Sequence, residues 1–260
     1  MGVAAGDFDN DGDEDIFKTN LTHEGCNLYV NDGRANFYDA SVEFNLLRPT
    51  LPYTGFGTEW FDYDNDGHLD LFVANGAVNR IESLRGSPYP FNQINQLFHN
   101  EGHGKKFREV TGIAGPALSI SEVSRGAAFG DIDNDGAIDI VVANNNGPVR
   151  LLLNQARSIN RNHWLLARIE GTHGNRFGIG ATIEVRTRGR RLVRRVHTDS
   201  SYLSASDVRV HFGLGEDALV EKLIVYWPGG EIETWDKLQA DRIVTLRQGT
   251  GTSSRLKDRD

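Results

Sequence analysis

Three copies of one nine-residue pattern limit what this chain can fold into. They are Asp7-Phe-Asp-Asn-Asp-Gly-Asp-Glu-Asp15, Asp62-Tyr-Asp-Asn-Asp-Gly-His-Leu-Asp70 and Asp131-Ile-Asp-Asn-Asp-Gly-Ala-Ile-Asp139. Each copy places aspartates at loop positions 1, 3, 5 and 9 and glycine at position 6. Alternate side chains of a tightly turning loop converge, and converging carboxylates repel one another unless a cation lies between them. A hard ion such as calcium takes six to eight oxygens at roughly 2.3–2.6 Å, which this pattern can supply. The glycine lets the backbone reverse where a Cβ would clash. Position 7 varies freely (Asp13, His68, Ala137), as expected where a calcium loop offers a backbone carbonyl. Acidic surface turns also use Asp, Asn and Gly. Three identical copies argue against that simpler account.

An EF-hand needs a bidentate glutamate at position 12. Here position 12 is Lys18, Val73 or Val142, and each loop runs into a β-branched and aromatic segment that reads as a strand. The loops begin at 7, 62 and 131. Downstream of them, Leu28-Tyr-Val-Asn31, Leu97-Phe-His-Asn100 and Leu151-Leu-Leu-Asn154 correspond; upstream, so do the segments opening at Gly2, Gly57 and Gly126. Four short strands per repeat suggest propeller blades.

These units resemble the FG-GAP/VCBS repeat of integrin-like β-propellers. The resemblance implies that Asp7, Asp9, Asp11 and Asp15 bind one calcium ion, Asp62, Asp64, Asp66 and Asp70 a second, and Asp131, Asp133, Asp135 and Asp139 a third. In that family the ions stiffen the blades and are not catalytic. Propellers close with four to eight blades, and this chain holds about three. It is therefore expected to be the C-terminal part of a longer propeller, with open edges inviting association.

After residue 155 the loops stop and the charge reverses. Residues 1–154 carry 10 Lys and Arg against 23 Asp and Glu; residues 155–260 carry the other 18 against 13, so the net charge passes from −13 to +5. Strand-like runs at 163–169, 181–186, 192–196, 208–212, 220–227 and 242–246, with the Trp227-Pro-Gly-Gly230 turn, predict an antiparallel sandwich of six or seven strands. Asn175-Arg176, Gly178-Ile-Gly-Ala181, Ser200-Ser-Tyr-Leu-Ser204, His211-Phe-Gly-Leu-Gly215 and Trp227-Pro-Gly-Gly230 resemble the ASPIC/UnbV domain over about 162–249. FG-GAP repeats followed by this domain is the arrangement of the cartilage acidic protein family and its bacterial relatives.

The fold expected is thus all-β: blades over 1–155, a β-sandwich over 160–249 and a disordered polar tail over 250–260, with two modest cores. No long apolar run or signal peptide is visible, and the single Cys26 allows no internal disulfide. Calcium loops that bind too weakly for cytosolic levels point outside the cytoplasm. Three bound ions would move the formal charge from −8 to about −2.

Other clusters are weaker. His99 and His103 read as turn residues rather than a zinc pair. Ser200, Ser201 and Tyr202 with His197 and His211 lack the frame of a nucleophile. Arg186, Arg188, Arg190, Arg191, Arg194 and Arg195 read as a solvated basic hairpin, or as one facing a polyanion, an acidic glycan or the acidic blades themselves; no nucleic-acid motif accompanies them. The loop-to-hairpin distance is 13 and 12 residues in the outer units and 27 in the middle one. This insertion over 77–95 is expected to contact a protein or glycan partner. The reading is a secreted calcium-binding interaction module without catalytic residues. The alternatives are an enzyme or accessory subunit acting on envelope or extracellular polysaccharide, and a purely structural piece of a larger assembly.

Overall fold

A computed structural model describes residues 1–102 and 106–255. The protein is all-β, as expected. The first sheet runs in order through β1 (Val3–Gly6), β2 (Asp15–Lys18), β3 (Asn27–Asn31) and β4 (Phe37–Asp39), every pair antiparallel. A one-turn helix, α1 (Leu47–Thr50), leads to the second sheet. This contains β5 (Gly55–Phe61), β6 (Asp70–Asn75), then past the two-residue β7 (Gln93–Ile94), β8 (Gln96–Asn100) and β9 (Phe107–Glu109). The two-residue β10 (Ser121–Glu122) pairs with β7. The third sheet has β11 (Ser124–Gly130), β12 (Asp139–Asn144) and β13 (Arg150–Leu152), and β13 is its edge among the described residues.

Each aspartate loop is the connection of a hairpin, closed in the same register: Gly6 opposite Asp15, Phe61 opposite Asp70, Gly130 opposite Asp139. Leu71 and Val73 of β6 join a core with Phe8, Phe17, Trp60 and Phe98, whereas Phe72 and Ala74 join another with Phe129 and Ile140. Successive side chains of a strand point to opposite faces, so the middle sheet is sandwiched between its neighbours. That is why β6 is buried along its whole length. Cys26 lies buried in the first of these cores.

A short helix, α2 (Ala156–Ile159), precedes two further sheets. Here β14 (His163–Glu170), β15 (Thr182–Arg186), β16 (Arg191–Arg195), β17 (Val210–Gly215), β18 (Leu219–Tyr226), β19 (Glu231–Gln239), β20 (Arg242–Arg247) and β21 (Thr252–Arg255) divide into β17-β14-β20 and β16-β15-β18-β19-β21. Leu165, Phe212 and Leu246 from one sheet and Ile183, Leu223 and Val225 from the other meet in a third core. The described residues thus form three cores rather than two, because the middle repeat uses both faces.

Three expectations need correction. Among the described residues this region has eight strands, and β14 and β20 run parallel, Leu165 opposite Arg242 through Glu170 opposite Arg247. A long crossover through the other sheet permits this where a tight hairpin could not. The tail is ordered further than expected: Thr252 pairs with Thr234 and Arg255 with Glu231, while residues 256–260 lie outside the described ones. No helix among the described residues is long and apolar enough to cross a membrane.

Candidate metal loops and their lid

The three loops share one geometry. Asparagine at position 4 takes a left-handed conformation (φ 62, 63 and 62° at Asn10, Asn65 and Asn134), and glycine at position 6 follows with positive φ. Asparagine tolerates that region better than most residues, so the Asn-Asp-Gly core curls each loop inward. The glycine amide then donates to the position-1 aspartate: Gly12 to Asp7 at 3.2 Å, Gly67 to Asp62 at 2.7 Å, Gly136 to Asp131 at 3.0 Å. The position-7 amides of Asp13, His68 and Ala137 donate to Asp11, Asp66 and Asp135 at 2.9, 2.8 and 2.8 Å. Their side chains join none of the ligand groups, which accounts for their variety.

Carboxylate oxygens of Asp7, Asp9 and Asp11 lie within 4.8 Å of one another, as do those of Asp62, Asp64 and Asp70 and those of Asp131, Asp133 and Asp139. Asp66 groups instead with Asp64 and His99, and Asp15 and Asp135 fall outside these closest sets. Positions 1 and 9 are buried in every copy. Burial pushes Asp7 up to about 6, Asp15 to about 7 and Asp70 to about 7, and raises Asp62, Asp131 and Asp139 as well. Asp7 Oδ1 and Asp15 Oδ2 are buried without a hydrogen-bond partner. Anionic oxygens with no donor are costly to bury, so these residues fit an oxygen-seeking cation.

The position-9 aspartate is held by an asparagine that the hairpin supplies. Amides of Asn31, Asn100 and Asn154 donate to Asp15, Asp70 and Asp139 at 2.9, 2.8 and 2.8 Å. Their side chains donate to the carbonyls of Glu14, Leu69 and Ile138. Asn100 and Asn154 also reach the preceding loop, at Phe8 and Tyr63. Asn10 and Asn65 reach forward to the carbonyls of Gly67 and Gly136. The loops are therefore strung together by asparagine amides. His99, expected to be a plain turn residue, lies 3.1 Å from Asp70, a contact that raises its pKa. His103 lies outside the described residues.

The basic hairpin β15–β16 is only partly a solvated face: Arg186, Arg188, Arg190 and Arg191 are exposed, with Arg186 and Arg191 paired to Glu184 of the hairpin itself, but other contacts reach the loops. Arg194 donates to Asp7 and Asn10 at 3.4 and 3.1 Å, Arg195 meets Glu14 at 3.1 Å and Arg190 donates to the Asp66 carbonyl. Arg209 donates to the Asp131 carbonyl and to Asn134 at 2.6 and 2.7 Å. Of the two polyanions weighed for this hairpin, the acidic repeats are the one it meets. Ser200-Ser-Tyr-Leu-Ser204 threads against the inner strands: Ser201 pairs with Val3, and a Cβ on Gly57 or Gly126 would strike Ser201 Oγ or Ser204 Oγ at 2.9 or 2.7 Å. His211-Phe-Gly-Leu-Gly215 covers loops 2 and 3. A Cβ on Gly213 would lie 1.9 Å from Asp62 Oδ2, and Gly215 donates to Asn65 at 2.9 Å. Burial lowers His211 to about 4, so its neutral ring donates to the Gly136 carbonyl at 3.2 Å. The serines meet neither histidine: Ser200 engages Glu59 and His197 engages the Asp199 carbonyl.

Glu59 escaped the sequence analysis. It is buried on β5, beside a cavity of about 270 Å³ under the lid, and burial pushes its carboxyl up to about 8. The signal was available, since the equivalent positions in the other repeats are Ala4 and Ala128.

The profile described as ASPIC and UnbV matches residues 171–253, and that of the FG-GAP-like repeat matches residues 7–73. The chain joins an FG-GAP-like repeat to an ASPIC/UnbV domain. It is 29% identical to cartilage acidic protein 1 of Xenopus tropicalis over 90% of its length, and 28% identical to that of Homo sapiens over 89%. It spans about a third of the length of these relatives, 34% and 33%. The FG-GAP-like match holds the first two loops; the third, beyond it, repeats their geometry. Of the ASPIC/UnbV signatures, 211–215 lies on loops 2 and 3, and 200–204 lies against strands β1, β5 and β11.

Proposed function

We propose that the protein is a calcium-binding extracellular interaction module, with three ions stiffening blades over 1–155 and a sandwich over 160–249 locked onto them. The observation that carries this reading is the convergence of carboxylate oxygens within 4.8 Å in all three loops, with two buried oxygens in the first left without a donor. Each ion would be held by aspartates at positions 1, 3, 5 and 9 and would cancel their mutual repulsion. The Arg194 and Arg209 contacts to loop backbone then pass the order of the loops to the ASPIC/UnbV domain. Recognition falls to exposed segments, chiefly the insertion over 77–95, with a protein or glycan as partner and the β13 edge as a second surface. An extracellular setting suits loops of this affinity class.

Calcium stoichiometry, with melting followed in calcium and in chelator, tests this. Each independent site held at roughly 100 times its dissociation constant adds about 2.7 kcal/mol. Three ions and a large chelator-induced fall are expected; no ion and no shift would sink the reading. The polysaccharide-enzyme alternative draws on one observation, the buried high-pKa carboxyl of Glu59 beside a cavity, since such a group can act as a general acid. Glycan cleavage abolished by Glu59→Gln would favour it.

A further inference from the structure

The insertion of the middle repeat builds a groove. Its strap folds back so that Ala77 donates to Phe91 and Ile81 to Pro90. Asn92 and the β7–β10 pair tie it to the third repeat. The turn Asn145–Pro148 forms the opposite wall, anchored by the Asn145 amide on Val123. The groove between them is open to solvent and has a volume of about 950 Å³, at the upper end of small-molecule sites.

We propose that this groove binds a neutral oligosaccharide. This rests on the interaction-module reading and assigns it a site and a ligand class. The first argument is charge. Arg150 forks onto Glu122 at 2.7, 3.0 and 3.2 Å. Arg125 spends its donors on the carbonyls of Gly76, Ser124 and Ala77 and stacks 4.0 Å over Phe56. The charged side chains lining the groove are thus satisfied internally, and an ionic ligand would meet no free countercharge.

The second argument is what stays unspent. The side-chain amides of Asn145 and Asn146 and the Tyr89 hydroxyl are exposed and have no partner among the described residues. An amide offers a donor and an acceptor, matching neighbouring sugar hydroxyls that need both. The Tyr89 side chain, on a residue 65% exposed, presents an apolar ring with a polar tip, suited to the C–H face of a pyranose. A proline-rich peptide would use the ring and its carbonyls could accept from the amide NH2 groups, but its prolines carry no N–H to answer the amide oxygens.

The test probes the calcium-loaded chain against immobilised gluco-, xylo-, manno- and chito-oligosaccharides, beside sulfated and uronate polysaccharides and proline-rich peptides. Hits are titrated calorimetrically into the unaltered chain, Tyr89→Ala and Asn145→Ala/Asn146→Ala. The proposal expects a neutral glycan to bind, and each variant to weaken it about tenfold or more with melting temperature and calcium stoichiometry unchanged. It is overturned if only charged or proline-rich probes bind, if no neutral glycan binds, or if neutral binding ignores both variants. A chain that holds its ions and binds elsewhere would overturn the groove alone. Loss of both ions and partners would overturn the module reading beneath it.

Discussion

The side-chain amide of Asn100 donates to the carbonyl of Phe8 at 2.9 Å, across 92 residues of chain. The same amide donates to Leu69 at 3.0 Å, and its backbone N–H holds Asp70 at 2.8 Å. One residue therefore clamps the second loop and fastens it to the first.

Replacing Asn100 with alanine leaves two buried carbonyls without a donor. The expected loss is roughly 2–4 kcal/mol in chemical denaturation. Asn31→Ala breaks bonds only within the first repeat, to the Glu14 carbonyl and from the Gly33 amide, and should cost about half as much or less. Equal losses would show that the inter-loop bond carries no weight.

Gly213→Ala brings a methyl to 1.9 Å from Asp62 Oδ2 and 2.6 Å from the Asn65 backbone. The lid must lift or loop 2 must shift, at about 1–3 kcal/mol. Calcium titration should show one site weakened and the others near normal. Unchanged binding at all sites would separate the lid from the metal loops.

Arg190, Arg194 and Arg209 together hold the ASPIC/UnbV domain on loop backbone. With all three changed to alanine, calorimetry should resolve two transitions where the unaltered chain gives one, because coupling through the interface is lost. A single transition at an unchanged temperature would mean that packing alone holds the two parts together.

Calcium binding should strengthen as pH rises. Asp7, Asp15 and Asp70 are pushed up to about 6, 7 and 7 by burial, so protons compete with the ion below these values. In the ion-free chain the folded state holds more protons than the unfolded one across this window. The contribution of these carboxyls to its stability is therefore full below about pH 4 and lost as pH rises through about 7. Calorimetry at about pH 6 and about pH 8, in buffers of differing ionisation heat, should show proton release at the lower pH only.

Glu59 gives a separate pH signal. Its folded pKa of about 8 lies above the ordinary 4.5, so its contribution is present below about pH 4.5 and lost as pH rises through about 8. Glu59→Gln keeps an acceptor for the Trp60 amide and offers an N–H to Ser200, reproducing the neutral acid. In calcium, the variant should be more stable than the unaltered chain near neutral pH, by on the order of 3 kcal/mol, with a flatter pH profile. Equal pH profiles would place the Glu59 carboxyl in contact with water.

What could be read in the sequence was local. The Asp-x-Asp-Asn-Asp-Gly core dictates a left-handed turn at position 4, a reversal at position 6 and carboxylates facing inward, because these follow from φ preferences and side-chain chemistry within nine residues. Short β-branched and aromatic runs between glycine-rich turns likewise located most strands. This signal passed over β19, where Glu231-Ile-Glu-Thr-Trp-Asp-Lys mixes charge into the run, and β21, whose order depends on pairing with β19. What the tertiary structure decided was encounter between distant segments. That Arg194 faces Asp7 rather than water, that Ser201 and Gly213 need their neighbours close, and that Tyr89 shares a groove with Asn145 all depend on which surfaces meet. Burial and pairing energies arise only there, and no local pattern in the chain encodes them.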